Sequence, residues 1–326
     1  MGLLGAALGV LDGRPWLGLL GWGLLGLLGF LVFGLYVLHL AVVHFLPPQD
    51  LRRRYGAEWA LVTGGSSGIG RSLCFRLAEQ GLNVVVVALA DDLLDKTAAD
   101  LAAKFPERQF RKVPANLGKP GYLEAIDRAT KDLDVQVVFN NAGYMPSGFF
   151  VKMTLPSLMA NLECNLTSAV QITHHFTTKM VEGGLPGCVC FTSSAAALMP
   201  SPLSIQYAAT KCFLSSFASS LATEVTSKGI DVLAVHPSPV ASNFYSNKEQ
   251  KAKMDALDFF QGFAISPDKL PDEILRAIGR TVYTDIGPTA YSFRLMMKVV
   301  DYNFLATLMS KIAHHLPDYK RNSVDD

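Results

Sequence analysis

No Asp, Glu, Lys or Arg occurs between Pro15 and Leu46 of this 326-residue chain. The stretch reads "PWLGLLGWGLLGLLGFLVFGLYVLHLAVVHFL". A soluble domain has no use for so long an uncharged run in front of it, and at ~1.5 Å rise per residue it exceeds a ~30 Å hydrocarbon core. A secretory signal has an apolar region of only ~7–15 residues, so this run is read as a membrane segment. Net charge is nearly absent, +1 overall, and the basic residues form no long run. Nothing therefore points to nucleic acid or to acidic partners. Cysteines are few and odd in number, five in all. No pair has C-x-x-C or zinc-finger spacing. This argues against a disulfide framework, for reduced thiols in a reducing compartment, and for no metal site. Beyond residue 46 there is neither an internal repeat nor a low-complexity tract.

What is present starts at the flanks of the apolar run. Arg52, Arg53 and Arg54 follow it, while Asp12 and Arg14 precede it and cancel. The positive-inside tendency puts the rest of the chain in the cytosol. Two geometries fit the run: a single tilted span, or a helical hairpin bent at Gly18, Gly21, Gly23, Gly26 or Gly29. His39 and His44 near its end are read as interfacial anchors. The double proline of "FLPPQDLRRRYGAEW" stops the helix and stiffens a short linker. The expected division is 1–47 as anchor, 48–58 as basic linker, 59–280 as catalytic domain and 281–326 as an apolar helical extension.

From Trp59 the pattern changes. "WALVTGG", "NVVVVAL", "QFRKVPANL", "VQVVFNNAG", "GCVCFTSS" and "IDVLAVHP" read as strands, several of them continuous apolar runs suited to burial on both faces. Segments of helical spacing such as "RSLCFRLAEQG" and "LLDKTAADLAAKF" lie between them. That alternation predicts an α/β fold, a doubly wound parallel sheet of Rossmann type, after the N-terminal membrane helix or hairpin. The tail "TAYSFRLMMKVVDYNFLATLMSKIAHHLP" is apolar and methionine-rich, with Arg294, Lys298 and Asp301 on one helical stripe. It fits a helix packed on the domain or on a second subunit, and equally one lying on a membrane or lining the entrance for an apolar substrate.

"LVTGGSSGIGRS" sets glycines between the first strand and the first helix. There the backbone can approach a pyrophosphate, and the helix N-terminus offers free N–H groups. "FNNAG" closes the fourth strand. Ser194 follows the fifth strand, and thirteen residues later comes Tyr207, with Lys211 one helical turn beyond it. Tyr and Lys at i and i+4 share a helix face, which alone decides nothing.

In this order the motifs resemble the short-chain dehydrogenase/reductases over about residues 55–245: T-G-x-x-x-G-x-G at 63–70, N-N-A-G at 140–143, Asn165 in "CNLTS", Ser194, Y-x-x-x-K at 207–211, and the proline-rich "HPSPVAS" at 236–242. The resemblance implies catalytic roles for Ser194, Tyr207, Lys211 and Asn165. It implies cofactor contacts from Thr63, Gly64, Ser66, Ser67, Gly68, Ile69, Gly70, Leu89, Asn116, Asn140, Ala142, Gly143, Tyr207, Lys211, Pro237, Val240 and Ser242. Hydride would pass between the nicotinamide and a carbinol or carbonyl carbon. A tyrosine of ordinary pKa ~10 is a poor base near neutrality, so Lys211 is expected to lower it. Ser194 would hold the substrate oxygen, and Asn165 a water linking Lys211 to solvent. Asn165 also lies in an N-x-T pattern, but an internal cytosolic position is not glycosylated.

The chain departs from the family at three places. Asn116 stands where an Asp is usual, and Pro237-Ser238 replaces Pro-Gly. The cofactor-choice positions read Ala88, Leu89 and Ser67, with Asp91 and Asp92 further on. This leaves NADPH against NADH open, with NADP(H) placed ahead of NAD(H). The membrane segment followed by "LRRRYGAEWALVTG" resembles the membrane-bound very-long-chain 3-oxoacyl-CoA reductase and 17-beta-hydroxysteroid dehydrogenase group. "GGSSGIG" is instead similar to 3-ketosphinganine reductases. The expectation is a membrane-anchored NAD(P)(H)-dependent oxidoreductase acting on the ketone of a 3-oxoacyl-CoA or steroid-like lipid at the endoplasmic reticulum. Alternatives are a 3-ketosphinganine-type enzyme, a lipid-droplet retinol or steroid dehydrogenase, and a non-catalytic scaffold subunit. A homodimer is implied by resemblance alone. Substrate selection is expected from the loop after Ser242 and from the tail.

Overall fold

The computed structural model describes residues 15–246 and 252–323. The chain divides into two compact units after Leu46. In the first, α1 (Pro15–Phe45) is one uninterrupted helix. Its segment Leu20–Phe45, 26 residues with a mean hydropathy of 2.3, is long and apolar enough to cross a membrane. No turn breaks it at the glycines, so the described residues form a single helix rather than the hairpin.

The second unit opens on α2 (Leu51–Tyr55), a short helix within the expected basic linker. Asp50 caps it by accepting from the backbone N–H of Arg53 at 3.0 Å. Leu51 and Tyr55 are buried. Arg54 pairs with Asp231 at 2.9 Å, at the surface of the domain.

The sheet has seven parallel strands in the order β3-β2-β1-β4-β5-β6-β7. They are β1 (Trp59–Thr63), β2 (Asn83–Ala88), β3 (Phe110–Pro114), β4 (Val135–Asn140), β5 (Gly187–Thr192), β6 (Ile230–Pro237) and β7 (Tyr283–Ile286). The helices between them are α3 (Gly68–Glu79), α4 (Asp92–Lys104), α5 (Tyr122–Thr130), α6 (Leu155–Leu162), α7 (Ser168–Glu182) and α8 (Ile205–Val225). β1 and the middle of β2 are buried throughout, because helices cover both faces of the sheet. One face packs Leu61, Val85, Val138 and Phe191 against Ile172 and Phe176 of α7 and Leu214 and Ala218 of α8.

Strand order reverses between β1 and β4, and a crevice opens at the carboxyl ends of the strands there. Thr63 ties the two ends together. Its hydroxyl accepts from the backbone N–H groups of Asn141 at 2.9 Å and Ala142 at 3.0 Å.

β7 lies beyond residue 280, where only apolar helix was expected. The tail is not one helix either. After α9 (Asp255–Gln261) and α10 (Leu270–Ala277) it runs as α11 (Pro288–Val299), α12 (Tyr302–Ile312) and α13 (Pro317–Ser323). Asp301 starts α12 by accepting from the N–H of Phe304 at 2.8 Å, which places a break where the charged stripe suggested continuity. Arg294 is not on a solvated face: it forks onto Asp285 of β7 at 2.9 and 3.0 Å.

Candidate active site

A cavity of about 660 Å³ opens over the crevice. Of the residues singled out from sequence, Gly64, Ser67, Gly68, Ile69, Leu89, Ala142, Gly143, Ser194, Tyr207, Lys211, Pro237, Val240 and Ser242 line it. At one end Gly68, Ile69 and Gly70 begin α3, whose first-turn N–H groups have no partner within the helix. Gly70 has to be glycine. A Cβ there would stand 2.1 Å from the carbonyl oxygen of Gly64. A glycine cradle closed on itself at a helix N-terminus fits the pyrophosphate of a dinucleotide, held by backbone groups without a counter-cation.

At the other end α8 presents Tyr207 and Lys211. Both are buried, at 8% and 3% exposure. Lys211 Nζ donates to the carbonyl of Thr192 at 2.7 Å and lies 5.6 Å from the centroid of the Tyr207 ring. Burial pushes the Lys211 ammonium down to about 8. Burial also pushes the Tyr207 phenol up to about 12, against the smaller opposing pull of the Ser194 hydroxyl. The expected lowering of Tyr207 by Lys211 is thus not what this pair shows. Desolvation penalises the charged form of each group and is the largest cause of both shifts. At neutral pH the arrangement holds a protonated phenol beside an ammonium.

Gly143 lets two groups meet at this end. A Cβ on it would stand 3.1 Å from Lys211 Nζ and 3.3 Å from Asn165 Oδ1. Asn165 sits in a π-helical turn, Glu163–Thr167, between α6 and α7. Such turns recur at functional sites. Asn165 Oδ1 accepts from the N–H of Tyr144 at 3.0 Å, and its Nδ2 donates to the carbonyl of Tyr144 at 2.9 Å. The side chain therefore fixes the loop that walls the cavity.

Five expected cofactor residues stand off the cavity lining: Gly70, packed against the Gly64 carbonyl, and four others. Asn140 is buried and donates to Thr173 Oγ1 at 2.9 Å, because the last residue of β4 turns toward α7. Its neighbour Asn141 lines the cavity instead, bridging Thr63 and Thr192. Asn116 is exposed, and its carboxamide accepts from the N–H of Gly118 at 2.9 Å. Ser66 offers its carbonyl to Thr97, and Thr63 braces the loop from beneath. Asp91, the nearest acid after β2, caps α4 by accepting from the N–H of Leu94 at 3.0 Å through one carboxylate oxygen.

Sequence reading missed a second set of residues. Ser193 donates to the carbonyl of Lys211 at 2.7 Å and meets Ser215, which bonds His236 Nε2 at 2.8 Å. His236 leads on to Asp285 and Arg294. The Asp285 carboxyl is held at about 2: burial pushes it up, but bonds from His236 and Arg294 outweigh that. Neither i,i+4 spacing nor a local motif signals a network built from β5, β6, β7, α8 and α11. Phe244, Phe260, Phe293, Met309, Leu316 and Tyr319 also line the cavity, from the loop after Ser242 and from the tail.

A model described as short chain dehydrogenase matches residues 58–253. A very-long-chain 3-oxoacyl-CoA reductase-like protein of Arabidopsis thaliana is 31% identical over 237 residues, covering 72% of this chain and 73% of that one. The 17-beta-hydroxysteroid dehydrogenase type 3 of Homo sapiens is 30% identical over 203 residues, covering 60% and 63%. The structure of a short-chain dehydrogenase from Sphingobium yanoikuyae in complex with NADPH superposes with a TM-score of 0.63 at 25% identity, covering 77% of this chain and 95% of that one. The Tyr–Lys pair, the glycine cradle and this extent of similarity agree: the chain belongs to the short-chain dehydrogenase/reductase family and is an NAD(P)-dependent oxidoreductase.

Proposed function

We propose that this protein is a membrane-anchored reductase that converts the ketone of an apolar lipid to an alcohol. The observation that carries this reading is the buried Tyr207–Lys211 pair with its protonated phenol, opening onto an apolar cavity. The bound dinucleotide supplies hydride. Gly64, Gly68 and the first turn of α3 hold its phosphates. Ser194 donates to the ketone oxygen and keeps it against Tyr207. Tyr207 gives its proton to that oxygen as charge develops, and the nearby Lys211 ammonium stabilises the phenolate left behind. Asn165 keeps the Tyr144 loop in place. Phe260, Phe293, Met309 and Leu316 exclude water around the rest of the substrate. A cavity left open above the four polar groups argues against a scaffold role.

We place the protein at the endoplasmic reticulum membrane, with α1 as anchor and the nucleotide domain in the cytosol. NADP(H) is preferred to NAD(H), because Ala88 and Leu89 at the end of β2 carry no acid. The test is a panel of steroid, sphingoid and 3-oxoacyl-CoA ketones with both reduced cofactors, read by nicotinamide oxidation. Turnover of at least one lipid ketone is expected; turnover of none overturns the substrate class.

A pH profile adds a second test. Below about 8 Lys211 is an ammonium, and above it a neutral amine, while Tyr207 keeps its proton to about 12. Reduction should therefore slow as pH rises through about 8, by about tenfold per unit, and Lys211→Met should flatten that limb. A falling limb that survives in Lys211→Met would assign it to another group.

A further inference from the structure

The far wall of the cavity comes from parts of the chain outside the family motifs. Met309 on α12 and Ala313, Leu316 and Tyr319 after it line the chamber together with Leu257 and Phe260 of α9. α13 is fastened to the chain entering α9 by a set of directed polar contacts. The Asp318 carboxylate accepts from the backbone N–H groups of Asp255 at 2.7 Å and Ala256 at 3.0 Å. Arg321 forks onto the Asp255 carboxylate, with Nη1 at 2.6 Å from Oδ1. Asn322 meets both backbone groups of Lys253: its Oδ1 accepts from N–H at 3.2 Å and its Nδ2 donates to C=O at 2.8 Å. On the other side the Tyr319 ring stands edge-on to Phe149, with centroids 4.8 Å apart. The Phe149 turn is itself tied to the α9 approach, since Ser147 Oγ accepts from Ala252 N–H at 3.2 Å.

One exposed ion pair holds little. Here the pair is joined by four bonds to backbone groups, and these fix the register of α13 on one short stretch. The charge pattern is also selective. Among the described lining residues Lys211, at the reaction end, carries the only ammonium or guanidinium. Among them Asp318 supplies the one carboxylate, and both its oxygens are engaged.

We propose that residues 317–323 form a strap over the substrate chamber, and that Asp318, Arg321 and Asn322 are specificity-determining residues that latch it around a compact uncharged ketone. The proposal rests on the ketone-reductase reading. The latch sets the chamber's length: with it fastened, Leu316 and Tyr319 stay against the substrate, and a bulky phosphorylated thioester is kept out.

The test uses the full chain loaded with reduced cofactor, with decalone as the uncharged probe and acetoacetyl-CoA as the anionic one. The double variant Asp318→Ala, Asn322→Ala should raise KM for decalone about tenfold and cut its kcat/KM advantage over acetoacetyl-CoA by a similar factor. Cofactor Kd should stay at the wild-type value, which a general loss of folding would not allow. Arg321→Asp should shift KM in the same direction, and Arg321→Asp with Asp255→Arg should restore it. Calorimetric Kd for decalone separates the two readings. If wild type reduces neither probe nor any ketone of the lipid panel, the reductase reading fails, and the strap stands only if the double variant weakens decalone binding about tenfold. A double variant with wild-type cofactor Kd and unchanged decalone KM and Kd overturns the strap.

Discussion

Tyr207→Phe is expected to lower kcat for ketone reduction about a thousandfold, or ~4 kcal/mol of barrier, and to leave cofactor affinity unchanged. The reasoning is local. The ring packs against Phe244, with centroids 5.6 Å apart, and a phenylalanine keeps that contact. Only the hydroxyl is lost, and with it the proton that must reach the ketone oxygen. Ser194 can still hold that oxygen but is a far weaker acid, and the Lys211 ammonium is engaged with the Thr192 carbonyl. Kinetics of the variant beside a cofactor titration separate the chemical step from binding. A variant that reduces ketone at the wild-type rate removes Tyr207 from the reaction.

Gly70→Ala should weaken binding of the dinucleotide about 10–100-fold, the equivalent of ~1–3 kcal/mol of overpacking. The added methyl would meet the backbone oxygen of Gly64 at 2.1 Å and the Asn141 amide at 2.6 Å. Neither is the free end of a flexible side chain, so the loop itself must move, and the α3 N–H groups lose their aim at the phosphates. The domain core lies beneath the loop and is untouched, so circular dichroism should be that of the wild type. A variant of native spectrum and unchanged cofactor Kd would show that phosphates do not bind at this turn.

The fold was legible where burial on both faces of a strand erases polar alternation, as in "NVVVVA" of β2. It was not legible at β7. That strand has four residues, "YTDI", one of them an aspartate whose charge is met by Arg294 and His236 from elsewhere in the fold. The partner of Arg54 was hidden for a related reason: Asp231, which it pairs with, is distant in sequence.

At the site, Tyr207 and Lys211 fall together because one helix carries both. Asn140 and Asn141 could not be told apart, since the strand's two-residue period decides which faces the cavity and where the strand ends was unknown. The sign of the Tyr207 shift was also beyond reach, because it depends on how deeply both groups are buried. The substrate end of the cavity is assembled from α9, α11, α12 and α13, and no local spacing announces a wall built from four separate segments. Met309, Ala313 and Leu316 show a near-helical recurrence only once their common target is known.

The central claim is that a buried, protonated Tyr207 completes the reduction of an apolar ketone. The most direct test is a single-turnover mix of cofactor-loaded protein with decalone near neutral pH, reading nicotinamide absorbance and the alcohol product together. Wild type should oxidise cofactor and form alcohol in equal amounts, and Tyr207→Phe should do neither on that timescale. Equal and fast product formation by Tyr207→Phe, or cofactor oxidation without alcohol in wild type, would contradict it.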